Sequence, residues 1–343
     1  MDLPAVTAPD ADARRAAVAR HGGLGVPVGA LGRLAELGVW LAAAPGSGPP
    51  RPPGRPRVVL VAADHGIAAA GVSAHPAGAT LRQVDTVRAN TAPVAVVAPV
   101  AGASVRVVDV ALDHEVTDEA DGRYRVRRGS GRIDREDALT ADEVHLALTV
   151  GRALADEEVD AGADLLVPAS VGVGATTPAS VLVAALTGAE PVAVIGRGSG
   201  VDDNGWMRKA TAVRDALRRA RPHARDPHAL LRVAGGADLA VLAGFCLQAA
   251  VRRTPVLLDG LVVGAAAMIA DELAPGARDW WLVAQRSPEP AMVLAVEHLD
   301  LAPVLDLGVR IGDGTGAAAV LPLLQMAARL LAETATAADL GLA

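Results

Sequence analysis

Aromatic residues are scarce in this chain of 343 residues, which carries four Trp, one Tyr and one Phe. A reader of single-stranded nucleic acid needs aromatic stacking platforms and a basic groove. With so few rings, a net charge of −7 and a pI near 5.6, the composition argues against nucleic-acid binding. Cysteine is reduced to Cys246, in AGFCLQAA. That excludes a disulfide framework and a thiolate metal cluster, and it predicts a small core residue. The eight histidines show no H-E-x-x-H or similar pairing, so no metal site is signalled. The start, MDLPAVTAPDADARR, lacks a basic stretch followed by an apolar run, so no signal peptide is read. The longest uncharged stretch, 165–189, has the length of a membrane span but is broken by Pro168, Gly172, Gly174 and Pro178. It reads as strand, loop and buried helix, and the expectation is a soluble, cytoplasmic protein.

Apolar residues are plentiful: they make up 51% of the chain, and the mean hydropathy is +0.33, enough for a large core in one big domain or a domain with a smaller partner. Residues 10–44 read as helical, and PGSGPPRPPGRP (45–56) reads as a linker too rich in proline for regular structure. Beyond it, runs of Val, Leu and Ile at 57–63, 104–110, 163–169, 190–196, 254–260 and 302–308 alternate with helical segments. Such nearly continuous runs are expected of strands buried on both faces of a parallel sheet, which makes the fold α/β. Ligands bind such sheets at the carboxyl edge, and Asp64, His65, Asp109, Ser170, Asp259 and Asp313 fall where the runs end. The charged segment 114–143 reads as a surface excursion, and no internal repeat is visible.

Three glycine-rich turns follow apolar runs: VGVGATT (171–177), GRGSG (196–200) and VRIGDGTGA (309–317). Glycines let backbone N–H groups approach an anion, and a helix N-terminus beyond the turn favours negative charge, so the set suggests a phosphate-bearing ligand. The GxGxxG pattern and the Walker lysine are absent, and a glycine turn after a strand, taken alone, is more often only a tight connection. The third turn frames one carboxylate, Asp313. Of the 32 basic residues, 31 are arginine; the exception, Lys209, lies just after the second turn. It reads either as a compact cation for a phosphate or as a chance surface lysine, exposed in both cases, so that its loss would leave stability nearly unchanged.

Several segments come in the order and spacing of a known family. They are AADHGIAAAGVSAHP (62–76), RRGSGRIDREDALT (127–140), VGVGATTPAS (171–180), GRGSGVDDNGWMRK (196–209), VAGGADLAVLAGF (233–245), PVLLDG (255–260), RSPEP (286–290) and GDGTGA (312–317), with PVGALGRLAEL (27–37) upstream. The chain resembles the nicotinate-nucleotide:dimethylbenzimidazole phosphoribosyltransferases over essentially its whole length. The resemblance implies a Rossmann-like parallel α/β domain over 57–324, flanked by helices, and a small helical domain built from 1–44 and 325–343. It also implies a homodimer, with no cofactor and no metal. The family's reaction moves the ribose 5-phosphate of nicotinate mononucleotide onto a nitrogen of 5,6-dimethylbenzimidazole, in cobalamin lower-ligand assembly. Carried over residue by residue, Asp313 stands where the family has its catalytic glutamate. Gly172, Gly174, Thr176, Thr177, Gly198, Gly200 and Lys209 fall on the phosphate and nucleotide site, and Ser73, Gln83, Ser170 and Gln285 on the azole pocket.

The motifs also carry departures. Ser170 replaces an acidic residue, Ala175 an asparagine, Gln285 and Met292 two histidines, and Asp313 a glutamate one methylene longer; RANTAPVAVV (88–97) replaces a GG-containing segment. Three functions fit these residues: an active phosphoribosyltransferase of the family, a non-catalytic relative that binds a nucleotide or azole nucleoside phosphate, or an enzyme on the same scaffold with another donor or acceptor.

Overall fold

Six strands build one sheet: β1 Pro56–Ala63, β2 Ser104–Ala111, β3 Leu165–Val171, β4 Val256–Leu258, β5 Trp281–Gln285 and β6 Pro303–Leu305. The structure, a computed structural model, describes residues 5–44, 50–115 and 122–342. All pairings are parallel, in the order β2-β1-β3-β4-β5-β6. The strand order reverses at β1: its successor β2 lies on one side and β3 on the other. In an open parallel sheet this reversal opens a crevice beyond the carboxyl ends of the two central strands.

Strands β1, β3, β4 and β5 are buried on both faces, and successive residues serve opposite layers. Val59, Val61 and Leu166 face one core with α5 (Ala141–Asp160), α6 (Thr176–Thr187), α9 (Ala237–Val251) and α10 (Leu261–Leu273). Val58, Leu60, Leu165 and Val167 face a second core with α2 (Arg33–Ala43), α4 (Pro93–Val97) and α12 (Thr315–Glu333). The remaining helices are α1 (Ala11–Gly22), α3 (Ala79–Arg88), α7 (Asp203–Ala220), α8 (Pro227–Ala234) and α11 (Pro290–His298). Helix α5 opens on a reciprocal cap in which Thr140 Oγ1 accepts from Glu143 N–H (3.2 Å) and Glu143 Oε2 accepts from Thr140 N–H (2.7 Å). Helices α5 and α9 then pack backbone on backbone. A Cβ on Gly244 would lie 2.3 Å from the Leu148 carbonyl oxygen, and one on Gly151 would lie 1.9 Å from that of Val241.

Helices α1, α2 and α12 pack together, and α12 also lies against β5 and α4. Among the described residues α12 is the one helix long and apolar enough to cross a membrane, but it packs as a core helix, with Ala317, Val320, Leu321 and Leu324 buried. Residues 45–49 of the expected linker lie outside the described residues. The next residues are pinned: Asp164 accepts from the N–H groups of Gly54 (2.7 Å) and Arg55 (2.9 Å), and Gln325 Nε2 donates to Pro53 O (3.0 Å).

Two expectations fail. The run 190–196 is not a strand: Pro191–Val194 forms a 3₁₀ turn, so the second glycine turn follows a tight coil instead of a sheet strand. The strand missing from the sequence reading is β5, in WWLVAQ. Residues 116–121 of the charged segment 114–143 lie outside the described residues; the rest is more than an excursion, because Ile133, Ala138 and Leu139 enter the core and Ser130 bridges to His65 at the end of β1.

Candidate active site

At the crevice beyond β1 and β3 lies a cavity of about 460 Å³. Its wall includes Gly172 and Gly174 from the first glycine turn, Gly198 from the second, and Gly312 and Asp313 from the third. The three turns therefore converge at one place, as their composition suggests. A larger groove of about 590 Å³ runs along β6 and α11; Met292, Val293, Val296, Leu301 and Val304 make it mainly apolar, Arg286 and Asp306 pair on its wall at 3.9 Å, and none of the three glycine turns reaches it.

One end of the cavity is suited to an anion. Helix α6 begins at Thr176 directly after the first turn, so its N-terminal backbone points at this end. Lys209 Nζ donates to Thr176 Oγ1 at 2.9 Å. Gly198 has φ +50°, and a Cβ there would stand 3.0 Å from Thr176 Oγ1 and 3.2 Å from Lys209 Nζ, so only glycine leaves this approach open. The expectation of an exposed Lys209 is corrected: its side chain is fully buried. The reason lies in α7, whose inward stripe of Ala212, Val213, Ala216 and Leu217 carries Lys209 along with it. Burial pushes the Lys209 ammonium below its ordinary value, and the nearby Glu289 charge works in the opposite direction.

Asp313 occupies another part of the wall. It is nearly buried, and each carboxylate oxygen accepts one backbone N–H: Oδ1 from Thr315 (2.9 Å) and Oδ2 from Val94 (3.4 Å). The second donor, Val94, lies in the first turn of α4, the short helix formed by the unusual RANTAPVAVV segment, with Pro93 at its first position. A short side chain thus has a donor on each side to hold it. Behind it Asp259 is fully buried; Oδ1 accepts from Gln285 Nε2 (3.3 Å) and Oδ2 from Ala317 N–H (3.1 Å). Burial pushes the Asp259 carboxyl up to about 6; these hydrogen bonds oppose the shift and the Asp313 charge adds to it.

Of the azole-pocket residues, Ser73, Gln83 and Ser170 line the cavity. Gln285 does not: it lies behind the wall, clamping the loop after β6 by donating to Val309 O (2.9 Å) and accepting from Val309 N–H (3.2 Å). Thr176 is on the wall, whereas Thr177 is buried under it and Gly200 lies outside it. Ala175 lines the cavity, and Met292 fills core space against Gly264. Sequence reasoning missed Glu289, which lines the cavity and accepts from Gly198 N–H through Oε1 (3.0 Å), and also Ser199, Thr86 and Arg310. It also missed a buried pair under the first turn. His65 Nε2 meets Asp238 Oδ2 at 3.2 Å, and Ser170 Oγ reaches the same oxygen at 3.5 Å. Burial works against a charged His65, but the Asp238 carboxylate outweighs it, with Asp64 contributing, and the imidazole is held above its ordinary value.

The phosphoribosyltransferase family model matches residues 6–342. The chain belongs to that family. Similar proteins include the nicotinate-nucleotide–dimethylbenzimidazole phosphoribosyltransferase of Mycobacterium avium (strain 104), 56% identical over 341 residues, with 99% of this chain and 98% of that protein covered. The protein of the same name from Mycobacterium tuberculosis is 55% identical over 336 residues, covering 98% and 93%. Among solved structures, CobT from Thermus thermophilus superposes with a TM-score of 0.92 at 38% identity, covering 97% of this chain and 99% of that one. The family fold is thus the parallel α/β sheet described above. The departures at positions 170, 175, 285, 292 and 313 sit on an architecture that retains both the anion end and the Asp313 wall.

Proposed function

We propose that the protein transfers the ribose 5-phosphate of nicotinate mononucleotide to a nitrogen of 5,6-dimethylbenzimidazole or a related azole, giving α-ribazole 5′-phosphate and nicotinate. The observation that carries this reading is one cavity, at the sheet's switch point, walled by the glycine turns, by Thr176 with Lys209 buried behind it, and by Asp313. Full-length relatives more than half identical bear the corresponding enzyme name.

In this reading the 5′-phosphate takes backbone N–H groups of the first glycine turn, the N-terminus of α6 and the Lys209 ammonium, and Gly198 borders this end with its own N–H held by Glu289. One azole nitrogen attacks C1′ from the face opposite nicotinate while Asp313 takes the proton from the other nitrogen. The C1′–N bond to the pyridine ring breaks, and its electron pair returns to that ring as nicotinate leaves. Ser73, Gln83 and Ser170 supply polar contacts around the azole, against an apolar wall that includes Leu60, Val87 and Pro93. The protein acts as a cytoplasmic homodimer, and 1–44 with 325–343 form the small helical domain, which packs α1 and α2 on α12 and closes the sheet's second core through Leu37 and Leu41.

The test is nicotinate release in a single turnover with nicotinate mononucleotide and 5,6-dimethylbenzimidazole. Wild type is expected to release stoichiometric nicotinate. Asp313→Glu is expected to be slower by about tenfold or more, because the longer side chain forfeits the Thr315 contact and a misplacement near one ångström can cost on the order of 100-fold.

A further inference from the structure

Glu289 is a buried carboxylate on the wall of the candidate site, and the function proposed above leaves it unused. Only 4% of it is exposed. As the residue before α11 it stands at a helix N-cap, yet its side chain makes no cap hydrogen bond. It reaches across to the second glycine turn, where Oε1 accepts from Gly198 N–H at 3.0 Å. Its backbone N–H is held in turn by Ser287 Oγ at 3.3 Å. The other oxygen, Oε2, is buried without a hydrogen-bond partner, and the Lys209 ammonium nearby donates to Thr176 Oγ1 instead. It rests over Gly196, where a Cβ would come within 1.9 Å, so a glycine makes room for the carboxylate.

A carboxylate oxygen buried without a donor is costly, and such groups persist where a ligand supplies the missing partner. An ionised carboxylate only accepts, so the partner must be a donor. That requirement selects among the parts of the ligand in the proposed reaction, on which this inference rests. The phosphate and the nicotinate carboxylate are acceptors and repel Glu289. The azole N–H belongs at Asp313. The remaining donors are the two ribose hydroxyls. The sugar must lie between the anion end, which Gly198 borders, and Asp313, which faces C1′, and Glu289 lines that same cavity.

We propose that Glu289 is a specificity-determining residue that accepts a hydrogen bond from a ribose hydroxyl of the nucleotide donor, making the enzyme selective for ribosyl over deoxyribosyl donors. Gly198 N–H fixes one oxygen and leaves the other to read the sugar. A site built around such an acceptor rejects the analogue lacking the hydroxyl, because the buried oxygen is again left unpaired.

The experiment compares kcat/KM and Kd for nicotinate mononucleotide and its 2′-deoxy and 3′-deoxy analogues, using wild type, Glu289→Gln and Glu289→Ala. The intrinsic reactivity of each deoxy sugar cancels when the ribo-to-deoxy ratio is compared between proteins. For one of the two analogues the ratio is expected to fall at least tenfold from wild type to Glu289→Ala, with most of the loss on the ribosyl donor. Glu289→Gln keeps the side-chain volume and is the variant to use if Glu289→Ala does not fold; its amide still offers one acceptor, and an intermediate ratio is expected. Unchanged ratios in the folded variants for both analogues would overturn the proposal. Failure of the underlying reading is distinguishable: wild type would then release no nicotinate from any of the three donors.

Discussion

Lys209 and Asp259 are both buried ionisable groups, and burial moves them in opposite senses. Lys209 is pushed down, so its charged form opposes folding while offering an unhydrated ammonium to a phosphate. Lys209→Met keeps the stem and removes the charge. It is expected to leave the thermal midpoint equal to or above that of wild type while weakening nicotinate mononucleotide binding about 10- to 100-fold, since a charged hydrogen bond contributes roughly 1.5–3 kcal/mol. Calorimetric titration and a melting curve check the two halves. For Asp259 the ordinary value is 3.8 and the folded value about 6. Between these the folded chain holds more protons than the unfolded one. The stabilisation of its neutral form is therefore complete below the unfolded value and is lost as pH rises through about 6. Asp259→Asn removes that titration, so denaturant unfolding of wild type and variant should diverge between pH 4 and 7, with wild type losing on the order of 3 kcal/mol relative to the variant. Parallel pH profiles would show that Asp259 is not the buried acid described.

Among the elements, the contact of α5 with α9 is set by glycine. Gly244→Ala puts a methyl group into the Leu148 carbonyl, a backbone atom that cannot turn aside, and is expected to destabilise by about 3 kcal/mol or more, read as a lowered denaturation midpoint. The strands were legible where Val, Leu and Ile ran on without interruption, as in RVVLVAA and ADLLVPA. They were not legible in WWLVAQ, where Trp280 closes a 3₁₀ turn and Trp281 opens a short strand that neighbours on both sides complete. The misread EPVAVIG shows the converse: Pro191 and Gly196 leave four apolar residues between them, enough for a 3₁₀ turn, and β4 already takes the place beside β3. The glycine turns could be read because glycine reports backbone directly. The depth of Lys209 could not, since its neighbours Arg208 and Met207 face outward and the helix pattern is charged overall. Glu289 sits between prolines in RSPEP and reads as loop punctuation; its partner Gly198 is 91 residues away. The His65–Asp238 pair, 173 residues apart, is likewise a product of the fold.

At the scale of the whole molecule, the order β2-β1-β3 opens the crevice, and each loop brought there carries a different part of the chemistry. The β1 and β3 ends bring His65, Ser170 and the first glycine turn, α7 brings Lys209, and the turn before α12 brings Asp313. Substitutions relative to the family motifs lie on this frame without dismantling it: Met292 fills core space, Gln285 clamps a loop, and Asp313 has its own pair of backbone donors. The central claim is that this frame performs transfer and does more than bind a nucleotide. The most direct measurement is single-turnover nicotinate release from nicotinate mononucleotide with 5,6-dimethylbenzimidazole, run on wild type and Asp313→Asn alongside nucleotide affinity. The account predicts release by wild type, and loss of release with nearly unchanged affinity in Asp313→Asn. Tight nucleotide binding by wild type with no nicotinate released, or equal release by both proteins, would contradict it.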